Sequence, residues 1–213
     1  MSKPRVLLAD DHVLFLDGLR LILEPDYEIV GQATDGAELI ELANKLLPDV
    51  MLVDIMMPRL NGLEAIRRLQ SADLRAKVIF VTMHTEIELA VEAIRLGASG
   101  YLLKHAAADE LCRAVHEVLE GKTYVAPEIA DEVKTALIEA PEDPEKPATK
   151  LTRREREILQ LIAEGHKLVE IAKIWDVSIR TVEFHKYNLA DKLKLKTTAE
   201  LTQYALKHGV ISA

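Results

Sequence analysis

The sequence predicts an α/β domain built on a parallel sheet, followed by a smaller all-helical domain. Three observations predict this. Short apolar runs alternate with helix-period segments through the first ~120 residues. The stretch EAPEDPEKPATK, 139–150, then brings three prolines, many charges and no large apolar residue. Such a segment cannot join a packed core and reads as an extended linker. Finally, the charge changes sign there: residues 151–213 hold 11 Lys and Arg against 8 Asp and Glu, net +3, while residues 1–150 hold 16 against 27, net −11.

Composition excludes several classes. Of 213 residues, 49% are hydrophobic, enough for a core, and 29% are charged, as in a soluble protein. No apolar run approaches the ~18–20 residues that span a bilayer, so no membrane partner is expected. Met1–Arg5 leads into only four apolar residues before Asp10, which does not read as a signal peptide. The single cysteine, Cys112, excludes an internal disulfide and a multi-cysteine zinc site, and a cytoplasmic setting is expected.

The elements follow in order. Val6–Ala9, Val50–Val53 and Val78–Val81 are β-type runs, with weaker strands at Tyr27–Ala33 and Tyr101–Leu103. Continuous apolar strands fit a sheet covered by helices on both faces. Ala37, Ile40, Ala43 and Leu47 form one helical stripe. Ile87, Ala90, Val91 and Ile94 form another, with Thr85-x-x-Glu88 as a capping box. Leu111, Ala114, Val115 and Val118 form a third. Ala126–Ile138 reads as a connecting helix with Pro127 in its first turn. The domains are therefore expected at 1–124 and 150–213, with 125–149 as linker.

Behind the linker, Thr152-x-x-Glu155 caps a helix carrying Ile158, Leu161 and Ile162. Leu168, Ile171, Ala172 and Trp175 mark a second helix. Ser178 caps a third with Val182, Leu189 and Leu193, and Thr197-x-x-Glu200 a fourth with Leu201, Tyr204 and Ala205. The short break at Asp176-Val177 suggests helix-turn-helix.

The strands end on chemistry. The first ends at Asp10-Asp11, the third at Asp54, the fourth at Thr82 and the fifth at Lys104. In an open parallel sheet these groups converge on the rim beyond the carboxyl ends of the strands, where ligands bind. Crowded carboxylates stay ionised if a cation joins them, and a hard oxygen donor set suits Mg²⁺. A carboxylate such as Asp54 can be a nucleophile toward phosphorus. Lys104 and the Thr82 hydroxyl then suit the phosphoryl oxygens.

These segments resemble the receiver domain of two-component response regulators. The resemblance rests on Leu8-Ala9-Asp10-Asp11-His12, Leu52-Val53-Asp54-Ile55-Met56-Met57-Pro58, Asn61-Gly62, Thr82, Gly97-Ala98 and Gly100-Tyr101-Leu102-Leu103-Lys104. It implies a flavodoxin-like, doubly wound, five-stranded sheet of order 2-1-3-4-5. It implies Asp54 as phosphoacceptor, and Mg²⁺ held by Asp10, Asp11, Asp54 and the Met56 carbonyl. Thr82 and Tyr101 would be the switch pair and Lys104 the phosphate contact, with Met56 and His84 tuning dephosphorylation. A sensor histidine kinase would be the phosphate donor. His105 stands after Lys104, where the family often has another residue.

Residues 151–211 resemble a LuxR-type helix-turn-helix domain through Leu151-Thr152-x-Arg154-Glu155-x-Glu157-Ile158, Gly165, Glu170-Ile171-Ala172, Val177-Ser178, Thr181-Val182, His185 and Lys192-Leu193. Together the halves resemble NarL-type regulators, so double-stranded DNA with paired half-sites, a homodimer and RNA polymerase are the expected partners. The third helix would enter the major groove and present Ser178, Arg180, Thr181, Glu183, Phe184, Lys186 and Tyr187. Lys167, Lys173, Arg180, Lys192, Lys194 and Lys196 are candidates for phosphate contact. Glu183 stands where the family often has lysine. It is either an acceptor for cytosine N4 or a surface carboxylate repelled by phosphate, and Phe184 is a candidate for a thymine methyl. The resemblance implies pairing of two copies through the fourth helix, with Leu201, Tyr204 and Ala205 as candidates.

The competing classes fit less well. A haloacid-dehalogenase-like phosphohydrolase carries a second Asp two residues after the nucleophile, where this chain has Met56. A dinucleotide-binding module needs G-x-G-x-x-G at the first turn, where this chain has Ala9-Asp10-Asp11-His12. The expected protein is a transcription regulator, not an enzyme.

Overall fold

A computed structural model describes residues 3–70, 75–83, 85–139, 151 and 153–211. It divides into two compact units, Met1–Pro141 and Glu142–Ala213.

The first unit alternates strand and helix: β1 (Arg5–Ala9), α1 (Val13–Leu23), β2 (Glu28–Ala33), α2 (Gly36–Leu46), β3 (Val50–Val53), α3 (Gly62–Gln70), β4 (Lys77–Thr82), α4 (Ile87–Arg95), β5 (Gly100–Leu103), α5 (Ala108–Leu119), β6 (Tyr124–Val125) and α6 (Ala130–Glu139). The strands pair in parallel in the order β2-β1-β3-β4-β5-β6. Five of them, in the expected order, carry the sheet. The sixth, two residues long, pairs with β5 beyond the expected edge.

Both faces are covered. Leu7, Met51, Val53, Phe80 and Tyr101 point into one core with Leu39, Ile66 and Ala90. Val6, Leu8, Leu52, Ile79 and Leu102 point into the other with Leu16, Leu19, Leu111 and Val115. Alternate residues of each strand feed opposite faces, as the pleat requires.

Three expectations are revised. α2 buries Gly36, Leu39 and Ala43; of the expected stripe Ala43 is buried and Ile40 packs half-buried against the core, while Ala37 and Leu47 are exposed. Leu47 ends the helix in the left-handed conformation, φ 47°, and is 73% exposed. α4 begins after Glu86, whose extended backbone carries no side-chain cap, rather than in a box based on Thr85. Pro127 precedes α6 by a turn instead of opening it. That helix and the turn before it are not a bare connector: Ile129 in the turn and Val133 in α6 are buried in the core shared with α4.

The second unit comprises α7 (Arg153–Ala163), α8 (Leu168–Trp175), α9 (Ile179–Leu193) and α10 (Thr198–Lys207). Ile158, Leu159, Ile171, Val182, Leu189 and Leu201 form its core. α8 stops at Asp176, left-handed at φ 52°. Ser178 Oγ then accepts from the Thr181 amide at 3.2 Å and caps α9, as its sequence position suggested. Thr197 and Glu200 form the expected capping box on α10. Thr152 and residues 140–150 of the expected linker lie outside the described residues. No helix among the described residues is long and apolar enough to cross a membrane.

Candidate functional site

Parallel pairing gathers the strand ends. Ala9 is in register with Val53, and Thr82 with Leu103, so the residues that follow share one rim. The Asp54 amide donates to the Ala9 carbonyl at 2.8 Å, and the Lys104 amide to the Thr82 carbonyl at 2.8 Å. Asp10, Asp54 and Thr82 are buried, whereas Asp11 is partly exposed.

The Lys104 ammonium lies 2.7 Å from Asp10 Oδ2 and 2.7 Å from Asp54 Oδ2. The Asp10 contact is an ion pair without hydrogen-bond alignment, so Oδ2 of this buried carboxylate has no hydrogen-bond donor. The other Asp54 oxygen accepts from the Met56 amide at 3.2 Å. Burial pushes the Asp54 carboxyl up; the Lys104 hydrogen bond and charge oppose this without cancelling it. Burial also disfavours the Lys104 ammonium, but the negative charges of Asp10 and Asp54 and the hydrogen bond to Asp54 outweigh this and hold it above the ordinary lysine range. Tyr101 is fully buried, and burial, with Glu86 and Asp54 adding to it, pushes its hydroxyl well above the usual range.

Oxygens of Asp10, Asp11 and Asp54 and a nitrogen of His12 lie within 4.8 Å of one another. His12 Nδ1 is 2.8 Å from Asp11 Oδ1 and 3.1 Å from Asp10 Oδ1, so this exposed side chain belongs to the cluster. The three carboxylates form an oxygen donor set that a hard divalent cation fits.

Two contributors escape sequence reading. The Phe15 ring centroid lies 5.0 Å from the Lys104 ammonium, a cation–π distance. Gly62 leaves room for the Asp54 carbonyl, which any Cβ would strike; the Asn61-Gly62 pair was the available signal. His84 lies outside the described residues.

Ser178, just before α9, is exposed, as are Arg180, Glu183, Phe184 and Tyr187 on the helix, and Thr181 and Lys186 are half-buried. Lys167, Lys173, Lys194 and Lys196 are exposed as well. Lys192 differs. Its ammonium is 2.8 Å from Glu155, tying α9 to α7, so it is not a free phosphate contact. The expected pairing surface is also revised. Leu201 and Ala205 are 1% and 0% exposed in their own domain's core, and of the three expected residues Tyr204 alone, half-buried, reaches the surface.

Residues 6–116 match the family described as response regulator receiver domain, and residues 149–205 match bacterial regulatory proteins, luxR family. The chain is a two-component response regulator. This regulator is 39% identical over 212 residues to the transcriptional regulatory protein MctR of Rhizobium johnstonii, covering 99% of this chain and 96% of that protein. It is 37% identical over 210 residues to the response regulator UvrY of Escherichia coli, covering 98% and 96%. The two-component response regulator RcsB, solved as a DNA complex, aligns with TM-score 0.58 and 27% identity over 95% of this chain and 98% of its own. The regulator thus joins a receiver domain to a LuxR-type DNA-binding domain and belongs to a family of transcription factors rather than enzymes.

Proposed function

We infer that Asp54 is the phosphoacceptor of this response regulator and that a sensor histidine kinase is the donor. Phosphorylation then controls binding of a homodimer to paired DNA half-sites in the cytoplasm, where RNA polymerase is the further partner. The observation that carries this reading is the lysine at 2.7 Å from both buried carboxylates at the rim.

An Asp54 oxygen attacks the phosphorus of a phosphohistidine. The O–P bond forms as the N–P bond breaks, and the imidazole leaves. Positioning and charge neutralisation are the main demands of such a transfer. Asp10, Asp11, Asp54 and the Met56 carbonyl would hold Mg²⁺, which supplies positive charge to the phosphoryl oxygens when bound. Lys104 leaves its carboxylate partners to pair with one phosphoryl oxygen. The Thr82 hydroxyl donates to another, and Tyr101 repacks behind it. This biases a pre-existing equilibrium, with a coupling of roughly 1–3 kcal/mol. Met56 and His84 tune the lifetime of the adduct.

On the DNA side, Arg180, Lys167, Lys173 and Lys196 supply phosphate contacts, and α9 enters the major groove. The test is incorporation of acid-labile phosphate from acetyl phosphate. Wild type takes it up and Asp54→Asn does not; full incorporation in the variant would overturn the assignment.

A further inference from the structure

We propose that Glu183, Phe184 and Tyr187 make α9 a reader of a C·G pair with thymine within two base pairs of it. The proposal rests on the DNA-binding reading above and adds the base class that this helix selects.

The core fixes which side of α9 faces out. Val182 and Leu189 are fully buried, so the helix cannot turn its exposed residues inward. Phe184 is 61% exposed and Tyr187 72%, and Glu183 is exposed between them and Arg180. Positions 183 and 187 are four apart and 184 and 187 three apart, so the side chains form one patch. A helical turn rises ~5.4 Å against ~3.4 Å per base pair, so the patch spans about two base pairs. Its base is braced. The rings of Phe184 and His185 meet edge-on at 5.7 Å, as do those of His185 and Trp175, and Arg154 lies 4.6 Å from the Trp175 centroid.

The chemistry of the patch narrows its target. Among the described residues Glu183 forms no ion pair, although Arg180 and Lys186 lie three residues to either side. A carboxylate only accepts hydrogen bonds, and phosphates repel it. Only a base amino group can hold it in the groove. Adenine sets the N7 acceptor beside its N6 donor, which opposes the second carboxylate oxygen. Cytosine presents its N4 donor with no acceptor on its own edge. The aromatic rings match the thymine methyl, the apolar group of the groove. Glu183 therefore lowers affinity for DNA in general and is compensated at one base pair.

The test is selection from a random duplex pool by the full-length chain treated with acetyl phosphate. Wild type should enrich half-sites with one fixed C·G pair, and replacing that pair should weaken binding about tenfold. Glu183→Ala should lose the preference at that position alone and bind unrelated DNA more tightly. Phe184→Ala should lose the neighbouring thymine preference. Both side chains are exposed, and circular dichroism checks that the helices persist. An identical consensus for wild type and Glu183→Ala overturns the proposal, as does a wild-type consensus lacking a C·G pair. Enrichment of no sequence by wild type would overturn the DNA-binding reading itself, and this proposal with it.

Discussion

The Lys192 ammonium and the Glu155 carboxylate meet at 2.8 Å, with both side chains partly buried, and they join α9 to α7. A lysine so engaged contributes to the fold of the helical unit before it contributes to any phosphate. Lys192→Ala should therefore destabilise that unit by about 1 kcal/mol, with an unchanged slope of log K against log salt. Lys196→Ala, at an exposed position, should lower that slope by ~0.9. Denaturant titration and binding at graded salt separate the two. A flattened slope for Lys192→Ala would show that the lysine leaves Glu155 for DNA.

Lys104→Ala should expose the cost of packing Asp10 against Asp54. Removing one partner of a buried ion pair costs on the order of 3 kcal/mol. Because burial already holds the Asp54 carboxyl above the usual range, its ionised form is the disfavoured one. The penalty should be absent below the ordinary carboxylate pKa and grow as pH rises through it. Added Mg²⁺ should raise the Tm of the variant more than that of wild type, since no ammonium competes for the oxygens. Equal Mg²⁺ responses would contradict this.

The revised face of α2 is testable with two substitutions. Leu39 is fully buried, and Leu39→Ala should cost ~2–5 kcal/mol. Leu47 is left-handed and exposed, so Leu47→Gly should stabilise by up to ~1 kcal/mol. Chemical denaturation of both variants decides. A destabilised Leu47→Gly would restore the stripe read from sequence.

We place the end of the receiver's folding unit after α6 rather than at residue 124. A fragment ending at 124 lacks Ile129 and Val133, both buried in the α4 core. It should unfold at lower denaturant than a fragment ending at 139. Equal midpoints would return α6 to the linker.

The rim chemistry was legible because β1, β3 and β5 each end in a continuous apolar run, and the first polar residue after it marks the end: Asp10, Asp54 and Lys104 stand out in that way. The face of α2 was not legible, since Leu39, Leu42 and Leu46 offer a helical stripe as regular as the one through Ile40, and packing alone selects. β6 is too short for a periodic signal. For Leu201 and Ala205, a stripe shows that a face is covered but not whether by its own domain or a second copy. The partner of Lys192 lies 37 residues away, beyond any local pattern.

The Ala126 amide donates to the Tyr101 carbonyl at 2.8 Å, which fastens the chain leaving β6 to the strand that carries the tyrosine. Because this link is peptide to peptide, swapping side chains leaves it intact. Alanine scanning would pass over it, and divergence of residue 126 would preserve it. Only proline at that position deletes the donor and cuts the tether outright.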